Sequence, residues 1–219
     1  IRGYMESQIS DEGFVLTISN ASLNDSGEVE PVRPPQFDER IFDTIETEVE
    51  GVTAISPVVR PGWSNFLADG TEYRVRSVSA VGDGYTEVMN LEMISGTYFT
   101  AGEIDSGAKN AVLTESLAVT LFGSVANAIG KTLSVPMPEL PQGAGGFRRA
   151  FSPPTFTVSG VVEDPGELVR RSYGIGDMIV PFTAILPARI NQQQALRFFL
   201  SRLQIRLHDT DMKRAEAQI

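Results

Sequence analysis

The chain has 219 residues, of which 42% are hydrophobic, no cysteine and a net charge of −10. That length supplies a real core and fits one large domain or two intimate subdomains, since single cores split above roughly 250 residues. The missing cysteine excludes disulfides, thiolate metal sites and a cysteine nucleophile. The acidic balance with scattered basic residues argues against a nucleic-acid partner, whose phosphates require clustered Lys and Arg.

No apolar run approaches the roughly 20 residues that span a bilayer, and no charged-then-apolar signal peptide opens the chain. Residues 1–9 carry a short helical pattern in Tyr4, Met5 and Ile9 that starts without a cap, which predicts an upstream continuation. Phe14, Leu16 and Ile18 then alternate with Val15, Thr17 and Ser19, the two-residue period of a half-buried strand. Residues 20–35, rich in Asn, Asp, Ser, Gly and Pro, predict a polar loop with too little apolar surface to order itself strongly.

Phe37, Ile41, Ile45 and Val49 recur every four residues along a helix whose first turn holds Asp38 and Glu39, where acids complement the helix dipole. Gly51 ends it, and residues 52–59 predict a strand closed by Arg60 and Pro61. Strand, helix and strand together predict a parallel pair with a right-handed crossover.

From Thr71 the pattern predicts a strand with Tyr73 and Val75 on one face and Arg74, Arg76 and Val78 on the other, broken by Gly82 and Gly84. Residues 85–89 make one helical turn, Gly96 punctuates, and Tyr98 with Phe99 anchors the next loop as apolar plugs. Residues 111–113 form a brief strand, Thr114 caps a helix through Leu117, Ala118 and Leu121, and Phe122 with Gly123 closes it. Ile129, Gly130 and Lys131 lead into a strand over 132–135.

The Pro- and Gly-rich stretch 136–154 excludes a helix or a central strand and predicts an inserted loop or hairpin. A strong strand over 156–162 follows, ended by Asp164 and Pro165, then a loop over 167–177 and a short strand over 178–181. Leu203, Ile205 and Leu207 alternate with Gln204, Arg206 and His208 in the last strand. Asp209, Thr210 and Asp211 predict an N-cap for a helix that either continues past Ile219 or docks on the body.

Catalytic patterns fail residue by residue. His208 is the single histidine, and no Gly-x-Ser-x-Gly elbow accompanies it. Gly82-x-Gly84 has Glu87 where a dinucleotide fingerprint needs its third glycine, and Lys131 follows no P-loop because Val125 occupies the glycine position. The neighbouring acids Glu103 with Asp105 and Glu163 with Asp164 read as solvated charge, as do Arg148, Arg149, Arg170 and Arg171 on their loops. The sequence thus predicts a non-catalytic chain without cofactor or metal.

Five ordered pieces carry a resemblance: Val81-Gly82, Gly96 with Tyr98 and Phe99, Leu121-Phe122-Gly123, Ile129-Gly130-Lys131, and Phe156 to Val161 with Gly160. In that order and spacing they resemble the MacB-like periplasmic core domain of MacB- and FtsX-type ABC transporter permeases. The opening strand and helix followed by Ala54, Ile55, Ser56 and Pro57 extend the resemblance over nearly the whole chain. Thr97 and Ala128 stand where the family usually has arginine and proline.

The resemblance implies an α+β fold of two subdomains. A porter-like βαβ subdomain is built from both chain ends, residues 1–61 and 187–219, and a central, mainly β, sabre-like subdomain spans 62–186 with a loop insertion at 136–154. It implies a periplasmic or extracellular segment of a cell-membrane protein that transmits ATP-driven conformational change to an exported substrate or partner protein. Implied partners are a cognate ABC ATPase domain reached through transmembrane parts outside this chain, an adaptor or outer-membrane partner, and a second copy in a homodimer. Gly82, Gly96, Phe99, Phe122, Gly123, Gly130, Phe156 and Gly160 are then structural positions, and Arg148 and Arg149 candidate partner contacts. The alternative expectation is a secreted or periplasmic module that binds a small molecule or peptide between its subdomains.

Overall fold

Residues 4–10, 13–19, 21–23, 29–31, 40–136, 154–167, 170, 173–186 and 202–207 are described by the structure, a computed structural model. The chain begins with an antiparallel hairpin of β1 (Tyr4–Ser10) and β2 (Gly13–Ser19), where the first segment is predicted helical. Seven residue pairs, from Tyr4 opposite Ser19 to Ser10 opposite Gly13, give β1 a partner for its backbone that a helical period in the sequence does not reveal. β3 (Ala21–Leu23) and β4 (Val29–Pro31) form a separate two-stranded ladder inside the stretch expected to be a loop, ordered by backbone pairing.

α1 (Arg40–Glu48) buries Ile41 and Ile45, and Val49 continues the stripe just past its end. Phe37, Asp38 and Glu39 lie outside the described residues. The next strand is β5 (Val52–Val59). β2 and β5 are not neighbours, however, because the last described strand, β14 (Arg202–Leu207), lies between them and runs antiparallel to both. The expected adjacent parallel pair is therefore a split one. β14 takes the inner place because Leu203, Gln204, Ile205 and Leu207 are buried, and such a strand gains most with a neighbour on each edge.

β6 (Asn65–Ala68) and β7 (Thr71–Arg74) make a hairpin around Asp69 and Gly70, whose φ angles of 47° and 80° fit a two-residue type I′ turn. The strand predicted through Val78 breaks here, and β8 (Val78–Val81) starts anew with all four residues buried. Its interior position between β5 and a later strand removes the exposed face that the sequence suggests. α2 (Tyr85–Met89), β9 (Met93–Gly96), α3 (Ala101–Ser106), β10 (Asn110–Thr114), α4 (Glu115–Phe122), α5 (Val125–Ala128) and β11 (Thr132–Ser134) follow. β12 (Thr155–Val162), β13 (Met178–Pro181) and a 3-10 turn over Phe182–Ile185 precede β14.

Among the described residues one mixed, twelve-stranded sheet runs in the order β1-β2-β14-β5-β8-β13-β10-β12-β11-β6-β7, with β9 added on β12. β8 with β13 and β10 with β12 are parallel pairs, and the others are antiparallel. The fold is α+β, a large sheet with short helices. Its fully buried residues include Leu16, Ile18, Phe66, Leu113, Leu133, Phe156, Met178 and Ile179, so one core follows the sheet from β2 to β6. The ring of Trp63 packs on Phe156 at 6.0 Å between centroids.

Candidate functional site at the joint between β5 and β8

The strands built from the chain ends meet the rest of the sheet through a short ladder, Val58 opposite Val81 and Val59 opposite Ala80. Two different surfaces flank it. Ser56 stands opposite Gln204, and the two-residue period puts Val58, Arg60, Arg206, Ser79 and Val81 on that same face. α2 covers this face, in contact with both β5 and β14.

The covered face is polar. Arg206 Nε donates to Val88 O of α2 (3.0 Å), Gln204 Nε2 to Tyr173 O (3.1 Å) and Arg60 Nη2 to Gly174 O (2.8 Å), while Ser79 Oγ accepts from Gly176 N (3.1 Å). The strands are thus pinned to α2 and to the 173–177 loop by individual side chains. Yet, among the described residues, the hydroxyl of Tyr85, wholly buried on α2, finds no hydrogen-bond partner, and neither does Gln204 Oε1. Burial pushes the Tyr85 phenol up to about 12; the Ser79 hydroxyl, near enough to lower it yet without hydrogen-bond geometry to it, and the Arg60 charge offset only part of that. Partial burial and the like charge of Arg202 hold the Arg60 guanidinium below its ordinary value against the pull of Tyr85.

The opposite face is open. A cleft of about 380 Å³ is walled by Phe42 and Glu46 of α1 and by Ile55 and Pro57 of β5. Across from them stand Gly82 and Asp83 after β8, then Ala101, Ile104 and Asp105 of α3, with Phe182 of the 3-10 turn. Gly82 is needed here because a Cβ would lie 2.5 Å from Cδ of Pro57. Thr183 Oγ1 donates to Ile104 O and Lys109 Nζ to Ala184 O, which ties the α3 wall to the 3-10 turn. Partial burial lowers the Lys109 ammonium pKa.

Farther along the sheet, two of the charges expected to be solvated, Asp164 and Arg170, form a knot with Asp177. Arg170 donates through Nη1 to Asp177 and through Nη2 to Asp164 at 2.9 Å, with only 13% of its side chain exposed. Arg76 approaches Asp177 at 4.0 Å. Asp164 also caps α4, accepting from Ser116 N at 2.9 Å and from Ser116 Oγ at 2.8 Å. This replaces the cap expected from Thr114, whose hydroxyl makes no capping bond and, among the described residues, is buried without a partner. Asp164, Arg170 and Asp177 are thus brought back against the sheet, where these charges meet each other before they meet water.

The remaining expected positions are dispersed along the central stretch. Gly96 has φ 71°, and a Cβ there would collide with Ser159 O; it stands opposite Gly160 in the β9–β12 pair. Phe99 is buried beside Tyr98 at 4.5 Å between ring centroids, and Phe156 is fully buried, whereas Phe122 is only partly buried at the end of α4. Gly123 N donates to Val119 O at the end of α4, Gly130 N donates to Val158 O, and Lys131 pairs with Asp69 at 2.9 Å. Glu103 is no loop carboxylate. Thr100 N donates to it at 2.8 Å, and its own N donates to Thr100 Oγ1 at 3.2 Å in a capping box. These bonds from Thr100, with Asn110 adding another, hold the Glu103 carboxyl below the usual range.

Arg148, Arg149, Arg171 and His208 lie outside the described residues, as do the predicted C-terminal helix and residues 137–153 of the insertion. Among the described residues no three His, Cys, Asp or Glu side chains cluster as metal ligands. No described helix is long and apolar enough to cross a membrane. What the joint offers physically is a short ladder with a polar face under α2 and an open cleft behind it.

Comparison with known proteins adds the family. The family model described as the MacB-like periplasmic core domain matches residues 1–219. No curated protein matches the chain. The periplasmic region of MacB from Actinobacillus actinomycetemcomitans is similar in fold, with 17% identity, 93% of this chain and 79% of that chain covered, and a TM-score of 0.61. So is the extracellular domain of the noncanonic ABC-type transporter YknZ from Gram-positive bacteria, with 18% identity, 83% and 78% covered, and a TM-score of 0.56.

Proposed function

This chain belongs to the MacB-like periplasmic core domain family, and from that premise we propose that it transmits ATP-driven motion of an ABC transporter permease to a substrate or partner outside the membrane. The family supplies the coarser statement, an extracytoplasmic domain of a MacB-like permease. The transmission step is the finer one. It draws on a single observation, the joint at which strands from both chain ends meet the central strands through two residue pairs. A sheet crossing so narrow concentrates relative movement at one place, because the packed bodies on either side shift between discrete arrangements and do not deform continuously.

In this proposal residues 1–61 with 187–219 form the porter-like body and residues 62–186 the sabre-like one. The two bodies share a sheet. Gly82, Gly96, Gly123, Gly130, Gly160, Phe99, Phe122 and Phe156 then serve turns and packing, and the chemistry of ATP hydrolysis belongs to a separate ATPase domain. An adaptor or outer-membrane partner, contacts through Arg148 and Arg149, and homodimer formation in the full-length permease belong to the same proposal, with this segment periplasmic or extracellular.

Double electron resonance distances in the full-length permease test it. Labels at Glu48 and Val119 span the joint, and labels at Glu72 and Val119 lie within the proposed central body; all three positions are exposed. The joint-spanning distance is expected to change between nucleotide-free and ATP-bound states while the inner distance stays fixed. An unchanged joint-spanning distance would overturn the reading. A second reading, a module that binds a small molecule or peptide between its subdomains, is favoured by the cleft beside the joint.

A further inference from the structure

We infer that the cleft beside the joint is a docking site for a basic amphipathic segment of a partner protein, with apolar side chains against its floor and lysines or arginines at its rim. The inference deepens the binding reading of the cleft and is independent of the transmission step. The floor is apolar: Pro57, Ile104 and Phe182 are buried beneath it and Phe42 is half-buried at its edge. A volume of about 380 Å³ falls in the range of ligand sites, roughly 300–1,000 Å³.

The rim carries one sign of charge. Glu46, Asp83 and Asp105 are all exposed there, and among the described residues no Lys or Arg lines the cleft. Among the described residues none of these carboxylates has an ion-pair partner, and Asp83 accepts only from Gly84 N at 3.1 Å. They come from separate elements, α1, the turn after β8, and α3, so they surround the opening and do not form one cluster.

That spacing selects the occupant. A single amine satisfies one carboxylate, whereas several cations along one apolar scaffold satisfy all three while the scaffold covers the floor, the usual mode of an amphipathic helix in a groove. The net charge of −10 draws such a segment in from a distance. Each rim pair stays partly solvated, so the carboxylates add modestly one by one and are felt together.

Fluorescence anisotropy on the 219-residue chain tests the inference with three labelled peptides of equal length: alternating Lys and Leu in helical register, the same peptide with Glu for Lys, and one with Lys and Ser. The Lys/Leu peptide is expected to bind best. Glu46→Gln, Asp83→Asn and Asp105→Asn together should weaken it roughly tenfold, the sum of three exposed pairs. Glu72→Gln, Glu92→Gln and Glu163→Gln, equal in charge but away from the cleft, should change it less than twofold; thermal melts confirm that both variants fold.

Equal weakening by the two triple variants, or equal affinity for the Lys/Ser peptide, would show general charge attraction and overturn the site. If the Glu/Leu peptide binds instead and Phe42→Ser abolishes that binding, the occupant class falls while the binding reading stands. If no peptide binds in a Phe42-dependent way, both fall. Glu46→Lys offers a further check on one exposed residue: weakening of the Lys/Leu peptide is expected, and an unchanged affinity overturns the rim's role.

Discussion

Two buried polar regions of this sheet differ in how far their polar groups are paired. Around Arg170, Asp164 and Asp177 face a cation and Asp164 also caps a helix, so charge taken out of water is returned as pairing. Beneath α2, Tyr85 and Gln204 are just as deeply buried, yet a hydroxyl and an amide oxygen are left without partners. An orphaned buried polar group costs about 1–3 kcal/mol. The two regions therefore differ in degree: beside the knot the Thr114 hydroxyl goes unpartnered among the described residues, while at the joint two such atoms stand among four side-chain hydrogen bonds.

The largest effect should come from breaking the knot. Arg170→Ala leaves Asp177, whose side chain is 9% exposed, without its main cation, and breaking a buried pair costs about 3–5 kcal/mol. Urea melts measure it. A loss below about 1 kcal/mol, the level of a surface pair, would make the knot no different from solvated charge and erase the contrast.

Packing gives the next test. Phe156, wholly buried against Trp63, should cost about 3–5 kcal/mol on truncation to Ala. Phe122, partly exposed at the end of α4, should cost well under half as much, at about 1–2 kcal/mol for the area it buries. Equal costs would mean that the end of α4 is as firmly packed as the sheet.

A smaller effect belongs to the exposed capping box at α3. Thr100→Ala removes the acceptor of Glu103 N and should cost about 1 kcal/mol. The Glu103 carboxyl lies below its usual range in the folded chain, so the folded state binds fewer protons than the unfolded one there. Its contribution is full above the ordinary carboxylate range and fades as pH falls through the depressed folded value. The penalty of Thr100→Ala should accordingly shrink in acid; a penalty that grows there would reverse the assigned sign.

Much of the fold is legible in the letters. The four-residue stripe of α1, the stop at Gly123 and the alternation in β14 are each written within a few consecutive residues, so local period suffices. Asp69-Gly70 is an equally local hairpin signal, since a two-residue Asp-Gly loop favours the type I′ turn it forms. The place of β14 between β2 and β5 is not legible in this way, because no short window records a pairing more than a hundred residues away.

The site was less legible than the fold for the same reason. Val81-Gly82 was singled out as a turn, but that Gly82 faces Pro57, and that Phe42, Asp83 and Asp105 share one opening, depends on three elements converging. Asp164 and Arg170 looked like loop charges because loops usually run in water. Only the return of that segment onto β10 and α4 makes them partners, as Ser116 and Thr114 show.

The smallest effect is the sharpest test of the joint. Tyr85→Phe removes the orphaned hydroxyl and keeps the ring that fills the space under α2, so the usual loss for deleting a buried hydrogen bond should be absent. Stability is expected to stay the same or rise by up to about 1 kcal/mol, since a polar atom that had no partner no longer has to be desolvated. The phenol, held up near 12, is neutral on both sides of folding at neutral pH, so this result should not depend on pH there. A loss of about 1 kcal/mol or more, the worth of a made hydrogen bond, would mean that the hydroxyl is satisfied after all. Gln204 Oε1 would then be left at the joint as Thr114 Oγ1 is beside the Arg170 knot, and the contrast between the two regions would vanish.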